Sequence, residues 1–235
     1  MIRKKLVQVF KHVLTNRQAQ ILFRLRFRIL RAGRVSMYLE LIEERIGNLN
    51  LLKNKNVIDL GANVGYFAEA CSLLGSIVLA VEPNEFCYRE LNRVKRGKSF
   101  SNLQIIPGAI GADCGIAKLI IPATGKKEDP YRATVQSSTN LEKSFTRVTH
   151  LEIVPKISLQ ALLDLYKEIQ LLKVDIEGAE YEIIDLIMNN KEKINFLFFE
   201  AHLGKINSKE YERKIQDFYI FICEHELEHK WFINW

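Results

Sequence analysis

A chain of 235 residues that is 48% hydrophobic and 26% charged has the apolar content for one α/β domain with a core, plus an appendage. No apolar run reaches bilayer-spanning length, and Met1-Ile2-Arg3-Lys4-Lys5 is followed by Lys11, Arg17 and Arg24, so no signal-peptide core forms. The four cysteines lie far apart with no C-x-x-C pair, which disfavours zinc ribbons and disulfide frameworks and makes a reducing, cytoplasmic setting the default.

The net charge of +6 is uneven. Met1 to Leu39 holds ten basic residues and no acid, so the remainder is mildly acidic at −4. The arm suggests an anionic neighbour: a membrane surface, with a peripheral location, nucleic acid or an acidic glycan. The bland alternative is a helical extension packed on the domain or on a second subunit. Phe23 to Ile29 alternates apolar and basic residues like a strand, but Val7, Phe10, Val13 and Leu14 are spaced as on a helix, and helices are expected across most of the arm. Tyr38 to Ile46 reads as a short helix ended by Gly47. Residues 1–50 are thus a basic helical extension and 51–235 the main domain.

From Asn56 strands alternate with helices, which implies βαβ units and a parallel sheet. Strands are expected at Val57–Leu60, Ile77–Val81, Leu103–Ile106, Leu171–Val174 and Phe196–Phe199. Helices are expected at Val64–Leu74, Glu85–Arg96, Ser158–Tyr166, Ala179–Met188 and about Ser208–Cys223. Gly111 to Val154 interrupts this rhythm. Ala117–Ile121 and Arg147–Val154 look like strands, and the polar stretch between them reads as a functional or solvated loop.

Asp59-Leu60-Gly61-Ala62-Asn63-Val64-Gly65 joins a strand to a helix. Gly61 permits a tight turn and Gly65 a close start to the helix, whose first amides are expected to face an anionic group. Seventeen residues after Gly65, Glu82 ends the second strand, where an acid accepts hydrogen bonds from ribose hydroxyls. Asn63 stands where a dinucleotide site needs its second glycine, which argues for a cofactor with ribose but no pyrophosphate: S-adenosylmethionine.

With Val81-Glu82-Pro83-Asn84 and Lys173-Val174-Asp175-Ile176-Glu177-Gly178-Ala179-Glu180, this loop resembles the FkbM-type S-adenosylmethionine-dependent methyltransferases over roughly Asn54 to Gly204. The resemblance implies a Rossmann-like class I methyltransferase fold: a seven-stranded α/β sheet with one antiparallel strand and helices on both faces. It also implies O-methylation of sugars, glycans or small metabolites. By motif, Asp59, Gly61, Ala62, Asn63 and Gly65 belong to the cofactor loop, Glu82 to the ribose and Ala109 to the neighbourhood of the adenine. Little chain follows the fifth strand, so shortened C-terminal strands are expected, with Phe232–Trp235 as a remnant of one.

Methyl transfer to an alcohol requires a positioned hydroxyl and a base. Asp175, at a strand end beside the cofactor strand, is the first candidate. Glu177 and Glu180 are three apart on the expected helix; Glu177 reads equally as catalytic or structural, and Glu180 as a helix-opening acid. His202, two beyond Glu200 on the fifth strand, is a candidate general base. Asp175, Glu177, Glu200 and His202 have oxygen-rich metal-ligand character, yet spacing does not separate that from a hydrogen-bonded cluster, and no metal is assigned. Ser137, Ser138 and Thr139 either reach over the site or are solvated. His225-Glu226-Leu227-Glu228-His229 matches a zinc-protease pattern on an apparent helix but reads as a charged helix end. Asp129-Pro130-Tyr131 lacks the second proline and the strand-end position of an amino-methylating motif. The alternatives to a small-acceptor O-methyltransferase are an RNA ribose methyltransferase and a non-catalytic binding module of the same fold.

Overall fold

The computed structural model describes residues 16–124, 127–128, 134–136, 148–203 and 209–235, with side chains from 28–121, 151–203 and 209–235. Six strands form the central sheet: β1 (Asn56–Leu60), β2 (Ile77–Glu82), β3 (Leu103–Pro107), β9 (Ile169–Val174), β10 (Ile194–Phe199) and β11 (Trp231–Ile233). Their order is β11-β10-β9-β1-β2-β3, and every neighbouring pair is parallel. The seven-stranded sheet with one antiparallel member is therefore corrected: among the described residues the sheet has six strands, all parallel. A helix, α6 (Lys209–Glu224), carries the chain back across the sheet after β10, so β11 enters in the same direction as its neighbour.

The central strands β1 and β9 are almost wholly buried, as strands covered on both faces must be. Alternate residues serve opposite faces. Ile58, Leu60 and Leu172 join one apolar cluster with α6; Val57 and Leu171 join the other, with Phe67 of α2 (Tyr66–Leu73) and Val35 and Ile42 of α1 (Asn16–Ile46). The remaining helices are α3 (Glu85–Gly97), α4 (Leu159–Leu163) and α5 (Ile184–Asn189).

The N-terminal segment differs from its expected short pieces, since α1 is one helix of 31 residues, about 46 Å long at 1.5 Å per residue. Its C-terminal half is clamped to the domain. Arg31, buried, donates through Nε to Glu69 (2.6 Å) and through Nη2 to the Val64 carbonyl (2.9 Å). Among the described residues no helix is long and apolar enough to cross a membrane.

The interruption after β3 becomes a second, mixed sheet: β4 (Ala109–Gly111), β5 (Gly115–Thr124), β6 (Lys127–Glu128), β7 (Thr134–Gln136) and β8 (Val148–Ser158). Its backbone is the antiparallel pair β5–β8, whose apolar residues Leu119 and Val154 join the main core. The helix expected over Ala179–Met188 is instead a 3₁₀ turn at Glu180–Glu182 followed by α5. Glu177 and Gly178 lie at φ 57° and 109°, left-handed conformations that delay the helix.

Candidate active site

The loop between β1 and α2 is shaped by contacts at its two glycines. Gly61 has φ 75°, and a Cβ there would lie 1.8 Å from the carbonyl oxygen of Asp175, because the loop crosses the end of β9. Gly65 has φ 85°, and its Cβ would fall 2.0 Å from Leu91 Cδ1 of α3. The loop amides are already occupied. Gly61 and Ala62 both donate to the Val81 carbonyl, Gly65 donates to Ala62, Asn63 donates to Glu82 Oε2 (2.7 Å), and Val64 donates to the Asn63 side-chain oxygen (2.8 Å). These amides thus hold the loop together, and an anionic ligand is left to the first amides of α2, where it was expected, or to side chains.

Glu82 fastens this loop to the next one. Its second oxygen accepts from Asn84 N–H at 2.8 Å. Burial drives its carboxyl up to about 7, against the pull of the two backbone amides. Each oxygen has one protein donor and capacity for another, which fits a ribose diol. Ala109, where β4 begins, is buried beside this corner; the preceding Gly108 donates to the Glu82 carbonyl at 3.2 Å.

Asp59 does not face the pocket. It is fully buried opposite Lys173, its register partner on β9, at 3.1 Å. Lys173 Nζ also lies 3.3 Å from Asp175 Oδ2 and donates to the Gly61 carbonyl at 3.1 Å. Burial lowers the ammonium's proton affinity, but Asp175 and Asp59 outweigh that and hold Lys173 charged well above its ordinary value. This lysine, whose part in the site the residue pattern barely hinted at, connects the glycine loop to Asp175. The available signal was a lysine inside an apolar strand run.

Asp175 is about a quarter exposed at the strand end, and its Oδ1 lies 3.7 Å from His202 Nε2. Glu177 Oε2 approaches the same nitrogen at 3.2 Å and Glu200 Oε1 at 3.8 Å. The other ring nitrogen, Nδ1, pairs with Glu180 Oε1 at 2.9 Å. Glu177 and Glu180 therefore do not line one helix face: they bracket the imidazole. Glu180 is completely buried and also accepts from the amides of Ile176 (3.1 Å) and Gly178 (2.9 Å) and, more weakly, from the Tyr211 hydroxyl (3.4 Å). It organises the turn rather than opening a helix. Burial alone would lower the His202 pKa; Glu180, Asp175 and Glu200 more than reverse this and raise it. Asp175, Glu200 and His202 each bring a ligand-type atom within 4.8 Å of the others. An imidazolium between carboxylates balances that charge equally well.

A pocket of about 400 Å³ opens beside Asp175. It is lined by Gly61, Ala62, Asn63 and Val64 of the loop, by Lys173 and Asp175 of the β9 end, and by Arg34 and Tyr38 of α1. Beneath it, Tyr38 meets the Phe67 ring edge-on at 5.8 Å and Trp235 at 6.0 Å. Ser137, Ser138, Thr139 and Asp129-Pro130-Tyr131 lie outside the described residues. The His225–His229 stretch follows the end of α6 as turns, not helix, and His225 Nδ1 pairs with the Phe221 carbonyl.

The model of the methyltransferase FkbM domain matches residues 59–226. No curated protein matches the chain by sequence. Among solved structures, a putative RNA methyltransferase from Pyrococcus horikoshii is 14% identical at a TM-score of 0.39, over 82% of this chain and 68% of that one. Aeropyrum pernix fibrillarin, in complex with natively bound S-adenosylmethionine, is 13% identical at 0.39, over 73% and 58%. Coclaurine N-methyltransferase is 20% identical at 0.28, over 32% and 21%, so the chain spans less than two thirds of these last two. Likenesses this distant fix neither reaction nor substrate.

Proposed function

The chain belongs to the FkbM family of S-adenosylmethionine-dependent methyltransferases, and from that premise we propose that it methylates a hydroxyl oxygen of a sugar, glycan or small metabolite. The observation that carries the proposal is the imidazole of His202, with one nitrogen on a buried carboxylate and the other among Glu177, Asp175 and Glu200, of which Asp175 lines the pocket.

The residues fit the cofactor. Glu82 has acceptor capacity for ribose hydroxyls, and the pocket next to it accepts an amino-acid chain along Gly61 to Val64. Bound S-adenosylmethionine supplies an electrophilic methyl group. The protein's task is then to hold a hydroxyl in line and take its proton. Glu180 fixes the proton of neutral His202 on Nδ1, which leaves the Nε2 lone pair for the acceptor hydroxyl. Asp175, kept in place by Lys173, orients the same hydroxyl from the pocket side. Glu177 and Glu200 stabilise the imidazolium that forms.

The test is transfer of labelled methyl from S-adenosylmethionine to a panel of saccharides and hydroxylated metabolites, with the product atom located by NMR. Methyl on oxygen supports the proposal; methyl on nitrogen or carbon sinks it. The ten basic residues ahead of Glu40 favour one further possibility, transfer to an RNA ribose. Salt-sensitive methylation of RNA, with none of the saccharides, would replace the first proposal with that one. Cofactor binding without transfer to any acceptor would favour a binding module. For the basic arm we propose contact with an anionic membrane surface, read by flotation with phosphatidylserine vesicles against neutral ones.

A further inference from the structure

We propose that Arg34, on the long N-terminal helix, is the residue that binds the cofactor's carboxylate. The inference rests on the pocket being the cofactor site. A carboxylate in that pocket needs donors and positive charge. The amides of residues 61 to 65 are each committed to a protein acceptor. Those of Tyr66 and Phe67, at the start of α2, contribute the partial charge of a helix terminus, roughly half an elementary charge. A full charge must come from a side chain.

Three cations stand near the loop, and two are spent. Lys173 lies between Asp59 and Asp175 and donates to Gly61. Arg31 is paired with Glu69 and the Val64 carbonyl, its guanidinium over the Tyr66 ring at 4.9 Å. Arg34 lines the pocket together with Gly61 to Val64, is exposed, and makes no hydrogen bond or ion pair with any described residue. It sits one helical turn beyond the Arg31 clamp and one before Tyr38, so its backbone is fixed while its side chain stays free to reach in. A planar guanidinium also suits a carboxylate bidentately. The basic arm, on this account, completes the cofactor site.

The experiment compares two ligands by calorimetry: S-adenosylhomocysteine, which carries the amino-acid end, and 5′-methylthioadenosine, which lacks it. Arg34→Ala is expected to weaken S-adenosylhomocysteine about tenfold or more, as loss of a charged hydrogen bond does, and to leave methylthioadenosine unchanged. Arg34→Lys should recover part of the loss. Equal weakening of both ligands, or of neither, overturns the assignment of Arg34. Failure of both to bind the unaltered protein overturns the cofactor site itself, and Arg34 with it.

Discussion

Glu180 reaches His202 from beneath: a carboxylate with no solvent exposure holds Nδ1 of a largely covered imidazole at 2.9 Å. Two backbone amides fix the carboxylate in turn, so the ring cannot swing without unmaking the turn. Glu180→Gln removes the charge and misplaces one amide hydrogen bond, which costs about 1–3 kcal/mol of stability. It should also lower the His202 pKa, because the glutamate is what chiefly raises it against burial. Turnover should climb with pH as the imidazolium deprotonates, and that climb should move to lower pH in the variant. A purely structural role for Glu180 would reduce activity without moving the limb.

His202→Ala and Asp175→Asn test the base and its partner separately. Removing a positioned base costs about 10²–10⁴-fold in rate. His202→Ala should therefore lose at least a hundredfold in kcat while binding S-adenosylhomocysteine normally by calorimetry. Asp175→Asn should raise the acceptor KM as well as lower kcat, since Asp175 is assigned to orient the acceptor hydroxyl beside His202. Turnover unchanged in both variants would remove these roles. Turnover is also expected to survive EDTA; loss with EDTA and recovery with a divalent ion would turn the Asp175, Glu200 and His202 cluster into a metal site.

Glu82 makes two pH predictions of opposite sign. Its carboxyl titrates near 4.5 unfolded and about 7 folded, so the folded state holds the proton more tightly. Stability from this group is full below 4.5 and is lost as pH rises through 7, about 3 kcal/mol in all. Chemical denaturation at pH 5 and 8 reads this difference, and Glu82→Gln should flatten it. Ribose hydroxyls donate to the ionised form, so S-adenosylhomocysteine should bind more tightly from pH 6 to 8, with proton release detectable by calorimetry in buffers of different ionisation enthalpy.

Gly61→Ala should be among the most damaging single changes. The added Cβ meets the Asp175 carbonyl oxygen at 1.8 Å, and φ 75° is strained for any side chain. Strain of roughly 1–3 kcal/mol is compounded by forced separation of the loop from β9. A fall in the thermal midpoint, together with lost cofactor binding, is the expected result. An unaltered midpoint would mean the loop moves freely there.

Arg31 and Glu69 form a buried pair, and Lys98 joins it at 2.7 Å. Arg31→Ala leaves the buried carboxylate to the half-exposed Lys98 alone and should cost about 1–3 kcal/mol. Restoring an apolar match with Arg31→Met and Glu69→Leu together should recover much of it, as read by urea denaturation.

The parallel core and the glycine loop after β1 were legible because burial on both faces leaves continuous apolar runs, and because glycines mark the turns. Asp175, Glu177 and His202 do converge, as motif proximity at adjacent strand ends suggested. Three features were hidden, each for a physical reason. Glu180 looked like a helix-opening acid because sequence spacing does not reveal that Glu177 and Gly178 turn left-handed and carry it inward. Asp59 lay in the cofactor motif, yet its partner Lys173 is 114 residues away and became visible only with the β1–β9 register. Arg34 was one cation among ten, and only the path of α1 over the loop singles it out.

That path changes where the protein can be cut. The family match starts at Asp59, a natural place to trim for crystals or for grafting onto another protein. A fragment so trimmed would keep the glycine loop and His202 but cut into β1, the strand between β9 and β2. It would shed the wall carrying Arg34 and Tyr38, and strip the Arg31 cap from Glu69. Phe67 and Phe198 would lose the cover of Val35, Ile42 and Val57. Any swap of catalytic domains between relatives should therefore carry the helix along with the sheet.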